Sequence, residues 1–161
     1  MALKVDYAGF GVDICLVCGL VVAEGEEGCR HLYEQMLASD FLAGDNEKYK
    51  AVMSAAYKLM HPDYYCVNDA DFATLLLPLA LSESHNLSNE TLAKVELFVA
   101  NLKDMPKFKA PIFRGYNPLR ELEAETDQQE FIDTILDWGE EVYDTYVEAH
   151  DTVSQLLKEM L

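Results

Sequence analysis

The last quarter of the chain most restricts what it can become. From about Asp127 onward, Phe131, Ile132, Ile135, Leu136, Trp138, Val142, Tyr143, Tyr146, His150, Val153, Leu157 and Met160 recur every three or four residues, which is the period of an α-helix with one wide apolar face. On the other side Asp133, Asp137, Glu140, Asp144, Glu148 and Asp151 make a row of a single sign, with no Lys or Arg between them. Like charges one turn apart cost a few tenths of a kcal/mol each, whereas burying one large apolar side chain contributes about 1.5 to 3 kcal/mol. The buried stripe therefore dictates a helix in spite of its exposed face. A straight helix of thirty-odd residues, at about 1.5 Å per residue, would run roughly 50 Å, longer than the roughly 40 Å diameter of a 161-residue globule. Gly139 is the expected bend; the other solution is a helix that overhangs into a homodimer.

The same period recurs upstream. After Asp45, a candidate cap, Tyr49, Val52, Met53, Ala56, Tyr57 and Met60 share one helical face, and Pro62 stops the helix near His61. A shorter helix is expected from about Glu27 to Ser39, with Cys29, Leu32, Tyr33, Met36 and Leu37 on its buried side. Asn68 is a good cap for residues 69–82, apolar on nearly all sides, which Pro78 should kink or divide. Ser88 caps residues 89–102, with Leu87 and Leu92 in position for a hydrophobic staple. No repeat and no low-complexity tract interrupts the series, so residues 1–161 read as one all-α domain, a helical bundle carrying a short metal-knuckle segment at 12–30.

Charge excludes function classes. The chain holds 29 acids against 12 bases, a formal −17, so direct binding to nucleic acid or to an anionic membrane through a basic patch is not expected. No apolar run approaches the roughly 18 residues of a membrane span, and residues 1–11 show no h-region or cleavage site, so a cytoplasmic protein without a signal peptide is expected. The excess is local: residues 1–50 hold nine acids and four bases, residues 51–120 seven of each, and residues 121–161 thirteen against one. Just before that acidic end, Lys103, Lys107, Lys109, Arg114 and Arg120 stand in a segment broken by Pro106, Pro111, Gly115 and Pro118. This is a loop with a basic lining, expected to lie against the acidic helix and the ends of other helices.

Chemistry concentrates elsewhere. The β-branched stretch 12–22 contains Cys15-Leu16-Val17-Cys18-Gly19. In a zinc knuckle such a turn aims backbone amides at the thiolates, and Gly supplies the positive φ it needs. Two buried thiols or a redox pair share the spacing, but the redox pair needs a helix opening at the first Cys and a βαβ context. Instead Leu20, Val21 and Val22 follow, and then an acidic turn. A structural zinc needs four ligands. Cys29 falls in the expected first turn of a helix, where the dipole favours a thiolate. His61 is held at a helix end by Pro62, and His150 faces the apolar stripe, where a hydrogen-bonded core histidine is the competing reading. Cys66 follows two tyrosines in a loop, and His31 and His85 are expected to be exposed.

Cys15-x-x-Cys18-Gly19, then Cys29, then Tyr57-x-x-x-His61-Pro62, and finally Trp138-Gly139-x-x-Val142-Tyr143-x-x-Tyr146-x-x-x-His150 resembles an uncharacterised bacterial family of small proteins, a domain of unknown function. Its members show a Cys-Pro-x-Cys-Gly start, a Tyr-x-x-Gln-His-Pro helix end and a tryptophan-rich C-terminal helix closing on His. Leu16 stands where that family has Pro, Met60 where it has Gln, Tyr143 and Tyr146 where it has Trp, and Tyr49 where it has a further His. The resemblance runs from about Cys15 to Leu157 and implies an architecture and candidate ligands, without a reaction.

Three functions fit this reading. In the first, zinc held by Cys15, Cys18, Cys29 and His61 closes a structural site. In the second, three of Cys15, Cys18, His61 and His150 leave a fourth position open to water in a metal-dependent enzyme, although no nearby carboxylate is marked as a base by any motif. In the third, the acidic row engages a basic protein partner or imitates nucleic acid in part. Ladder residues rise about 5 Å per turn against one duplex charge per about 1.7 Å, so one helix is too sparse for close mimicry.

Overall fold

The apolar period becomes helix almost throughout the computed structural model, which describes residues 2–5 and 12–161. The expectation of no export leader falls partly on residues 1 and 6–11, outside the described residues. The chain opens with an antiparallel pair, β1 (Ala2–Val5) and β2 (Val12–Cys15), in which Ala2 faces Cys15 and Lys4 faces Asp13. Helices follow in order: α1 (Gly25–Leu37), α2 (Lys48–Met60), the single turn α3 (Pro62–Tyr65), α4 (Asp69–Glu83), α5 (Asn89–Ala100), the short α6 (Leu119–Ala124), α7 (Gln128–Thr145) and α8 (His150–Met160). Among the described residues no helix is long and apolar enough to cross a membrane.

Local chemistry explains most boundaries. Asn68 accepts from the Asp71 N–H at 3.0 Å while Asp71 accepts from the Asn68 N–H at 3.3 Å, a reciprocal cap that starts α4. Ser88 and Thr91 do the same for α5, with 3.0 Å bonds in both directions. Asp127 caps α7 through the Glu130 N–H at 2.9 Å. Asp45 does not cap α2: it lies in a 3₁₀ turn, Gly44–Asn46, and the helix starts at Lys48 after Glu47, which makes no side-chain cap. Pro78 neither divides nor ends α4.

The core forms where α2, α4 and α7 pack on one another, with α5 and α8 against α4 and α1 beside the β-pair. Gly139 turns out to be a contact point inside an unbroken α7. A Cβ there would stand 2.7 Å from Val52 Cγ1 and 3.2 Å from Leu79 Cδ2, so only glycine lets α7 approach both α2 and α4 this closely. The C-terminal stripe is instead broken at Tyr146, after which a 3₁₀ turn, Val147–Ala149, leads into α8. The buried Tyr146 hydroxyl donates to the Leu59 carbonyl at 2.6 Å, and Trp138 Nε1 donates to Met60 Sδ at 3.2 Å. Both bonds hold α7 to the last turn of α2, the turn that presents His61.

The basic loop crosses this same end of the bundle. The Phe108 N–H donates to Asp69 Oδ1 at 2.9 Å, and Arg114 reaches the carbonyls of Pro111 at 2.8 Å and Met60 at 3.5 Å. Among the described residues, however, no ion pair joins Lys103, Lys107, Lys109 or Arg114 to a carboxylate. The loop nonetheless lies where it is expected, against the acidic C-terminal segment, with Gly115 beside Glu141 and Lys103 sharing a cleft with Glu159, and against the ends of α2 and α4.

Candidate metal centre

Three stretches of chain converge on one point. At the end of β2, the Cys15 N–H donates to the Leu20 carbonyl at 2.9 Å and the Gly19 N–H to the Cys15 carbonyl at 2.7 Å, closing a tight turn that carries Cys18. Gly19 sits at φ +80°, which a side chain would resist. Asp13 braces the turn from below, accepting the Glu24 N–H at 2.6 Å through Oδ2. Cys29 comes from α1, which begins at Gly25, two residues earlier than its sequence pattern suggests, so that Cys29 is its fifth residue and opens the second turn where the first was expected.

His61 comes from the end of α2. Its Nδ1 lies 2.7 Å from the Tyr57 carbonyl, and a carbonyl only accepts, so Nδ1 carries the proton and Nε2 is the free donor atom. The ring is 4.2 Å from that of Tyr57, which is itself stacked on Tyr33 at 3.9 Å. Thus His61, only 3% exposed, is fixed in both tautomer and direction before any ligand binds.

Nε2 of His61 lies 3.7 Å from Cys15 Sγ and 3.7 Å from Cys29 Sγ, and Cys18 Sγ lies 3.7 Å from Cys29 Sγ. All four donor atoms are within 4.8 Å of one another. The cysteines are free thiols. A tetrahedral zinc with three thiolates and one imidazole requires edges of about 3.8 Å between sulfurs and about 3.6 Å between sulfur and nitrogen, from bond lengths of about 2.3 and 2.0 to 2.1 Å. The donor set and its spacing fit such an ion.

Electrostatics lead to the same conclusion. The Cys15 thiol is pushed down by hydrogen bonds from Cys18 and Cys29, and the Cys18 backbone N–H contributes in the same direction. The Cys29 thiol is pushed up, first by its sulfur neighbours Cys15 and Cys18 and then by burial. Burial opposes protonation of His61, yet the sulfurs of Cys15 and Cys18 outweigh it and raise the ring to about 9. Three sulfurs this close cannot all be thiolates without a cation between them.

Asn117 is a member of the site that carries no sequence signal. At 2% exposure, its Nδ2 donates to Cys18 Sγ at 3.3 Å and to Cys29 Sγ at 3.7 Å, while Oδ1 accepts the Leu119 N–H at 3.0 Å. A lone Asn in a proline-broken loop has no spacing to betray it; only the fold brings it here.

The other candidates stand apart. His150 is not brought to the cluster: its ring stacks on Tyr143 at 4.3 Å and Nε2 lies 2.8 Å from the Tyr143 carbonyl, so it is a hydrogen-bonded histidine at the start of α8. Cys66 is half-buried after α3, its thiol raised to about 12 by burial and by Asp71. His31 and His85 are exposed, and Tyr49 lines a different cleft with Lys48 and His85. Beside the cluster a cleft of about 450 Å³ is lined by Tyr57, His61, Tyr64, Tyr65, Arg30, Glu26 and Glu27.

The sequence profile of a family of unknown function, DUF5946, matches residues 13–147, from the base of the knuckle to the end of the tyrosine-bearing helix. No curated protein and no solved structure matches the chain.

Proposed function

We propose that this chain, which belongs to the DUF5946 family of unknown function, is a helical domain whose N-terminal knuckle is fastened to the bundle by one structural zinc ion held by Cys15, Cys18, Cys29 and His61. What carries the reading is the convergence of four donors from the knuckle, α1 and α2 within 4.8 Å. Four protein ligands fill a tetrahedron and leave no place for a substrate water. Binding free energy of such sites, about 10 to 16 kcal/mol, is then folding free energy, comparable with the whole net stability of a domain at about 5 to 15 kcal/mol. Three thiolate ligands also favour a reducing compartment, in keeping with the cytoplasm.

Protein purified without exposure to chelator should carry about one zinc per chain by elemental analysis; metal-free protein overturns the proposal. Cys29→Ser should lower Tm sharply. A second reading, an open catalytic site, draws support from the cleft against His61. Cobalt substitution separates the two: the visible spectrum of a closed site stays unchanged when azide is added, and a shifted spectrum favours the open one.

A further inference from the structure

We infer that Cys18 is an oxidation site, at which a peroxide joins it to Cys29 as a disulfide and thereby removes two of the four donors from the centre. The inference rests on the structural-zinc reading above. Susceptibility of a cysteine follows its exposure, its thiolate character and the presence of a second sulfur to resolve the first product. Cys15 and Cys29 are 0% exposed, whereas Cys18 is half-buried on the turn that closes at Gly19. A bound metal keeps a ligating thiol in its thiolate form. The resolving partner is already in place: Cys18 Sγ lies 3.7 Å from Cys29 Sγ, and a disulfide of about 2.05 Å needs the two to close by roughly 1.7 Å. Asn117 marks the same edge of the cluster, donating through Nδ2 to both sulfurs, at 3.3 and 3.7 Å. Cys66, the remaining cysteine, lies outside the group of four donors.

The step balances with a peroxide as the oxidant. The Cys18 thiolate attacks one oxygen of hydrogen peroxide: an S–O bond forms, the O–O bond breaks, and the hydroxide that leaves takes a proton from solvent to become water. The Cys29 thiolate then attacks the sulfenic sulfur: the S–S bond forms, the S–O bond breaks, and a second hydroxide leaves and is protonated in turn. The two sulfurs lose two electrons in all, and the peroxide gains them. Cys15 and His61 are then the only donors left, half of what a structural site needs, and the ion departs. The product is more than a loosened knuckle. The new bridge keeps the Cys18 turn on α1, while the link through the ion to His61, and so to α2, is cut.

The zinc-loaded full chain carrying Cys66→Ser, exposed to hydrogen peroxide, tests this by two readouts: ion release followed with a chromogenic chelator, and disulfide mapping by mass spectrometry after alkylation. Release should keep pace with formation of a bridge between Cys18 and Cys29, one ion per bridge, and a thiol reductant with added zinc should restore the loaded chain. A chain that keeps its ion through hours in millimolar peroxide overturns the inference, as does a bridge from Cys15 to either other sulfur, or a Cys18 oxidised to sulfinic acid with no bridge. Cys18→His keeps four donors but no sulfur at the half-buried position, and should slow release at least tenfold; an unchanged rate also overturns the inference. The bridge is mapped on the native ligand set, so it decides the matter even where that variant fails to load. A chain that takes up no zinc at all overturns the structural-zinc reading and this inference together, whereas one that holds zinc against peroxide overturns this inference alone.

Discussion

At the scale of single residues, the centre depends on two residues that are not ligands of the metal in this scheme. Tyr57 uses its backbone carbonyl to fix the His61 tautomer, and Asn117 directs an N–H at two sulfurs. A hydrogen bond of this type withdraws charge from a thiolate, and removing such a partner commonly weakens metal retention about 10- to 100-fold. Asn117→Asp keeps an acceptor for the Leu119 N–H but turns the donor into an anion against the sulfurs. Chelator competition should therefore strip zinc at least tenfold faster from that variant; an unchanged rate would show that the contact does not hold the metal. His150→Phe is the converse case. It preserves the stack on Tyr143 and loses one hydrogen bond, so it should cost about 1 kcal/mol of stability with metal content unchanged, and a metal-free variant would return His150 to the ligand set. Thiol labelling reports on the same residues: in loaded protein all four cysteines should react slowly, Cys66 because its thiol is raised to about 12. After chelation Cys18 should react first, being the one site thiol that is not fully buried.

At the scale of elements, the three-helix contact at Gly139 sets two effects against each other. Gly139→Ala gains about 1 kcal/mol of helix propensity, but a methyl 2.7 Å from Val52 Cγ1 forces α2 and α7 apart, an overpacking that typically costs about 1 to 3 kcal/mol. Packing should win, and urea unfolding should show a net loss; a stabilised variant would mean that the helices separate freely. This position also marks the limit of what the sequence discloses. Caps such as Asn68 and Ser88, and the stop at His61-Pro62, are local chemistry and are readable from residue type and spacing. Whether Gly139 bends a helix or admits a neighbour depends on Val52 and Leu79, more than fifty residues away. The break at Tyr146 depends likewise on a hydroxyl reaching Leu59. Within the site, the cysteines and His61 are legible because metal ligands keep characteristic spacings, while Asn117 is not. The six-residue α6, opening after Pro118, is too short to show a period.

At the scale of the whole molecule, the knuckle and α1 lean on the α2–α4–α7 core, and the proposed ion would be their strongest tie to it. Hydrogen exchange after chelation should lose protection across residues 12–30 while the α4 and α7 amides stay slow; collapse of protection everywhere would mean that the core has no stability of its own. The spacing of the four donors also sets an order of events. Cys18 and Cys29 are 11 residues apart, but His61 follows Cys29 by 32. Because a ribosome delivers the chain from its N-terminus, the three sulfurs emerge well before the imidazole, and any ion they held would lack the His61 ligand until α2 had formed. Completion of the coordination sphere would then act as a checkpoint during synthesis, passed only by chains whose second helix has already formed.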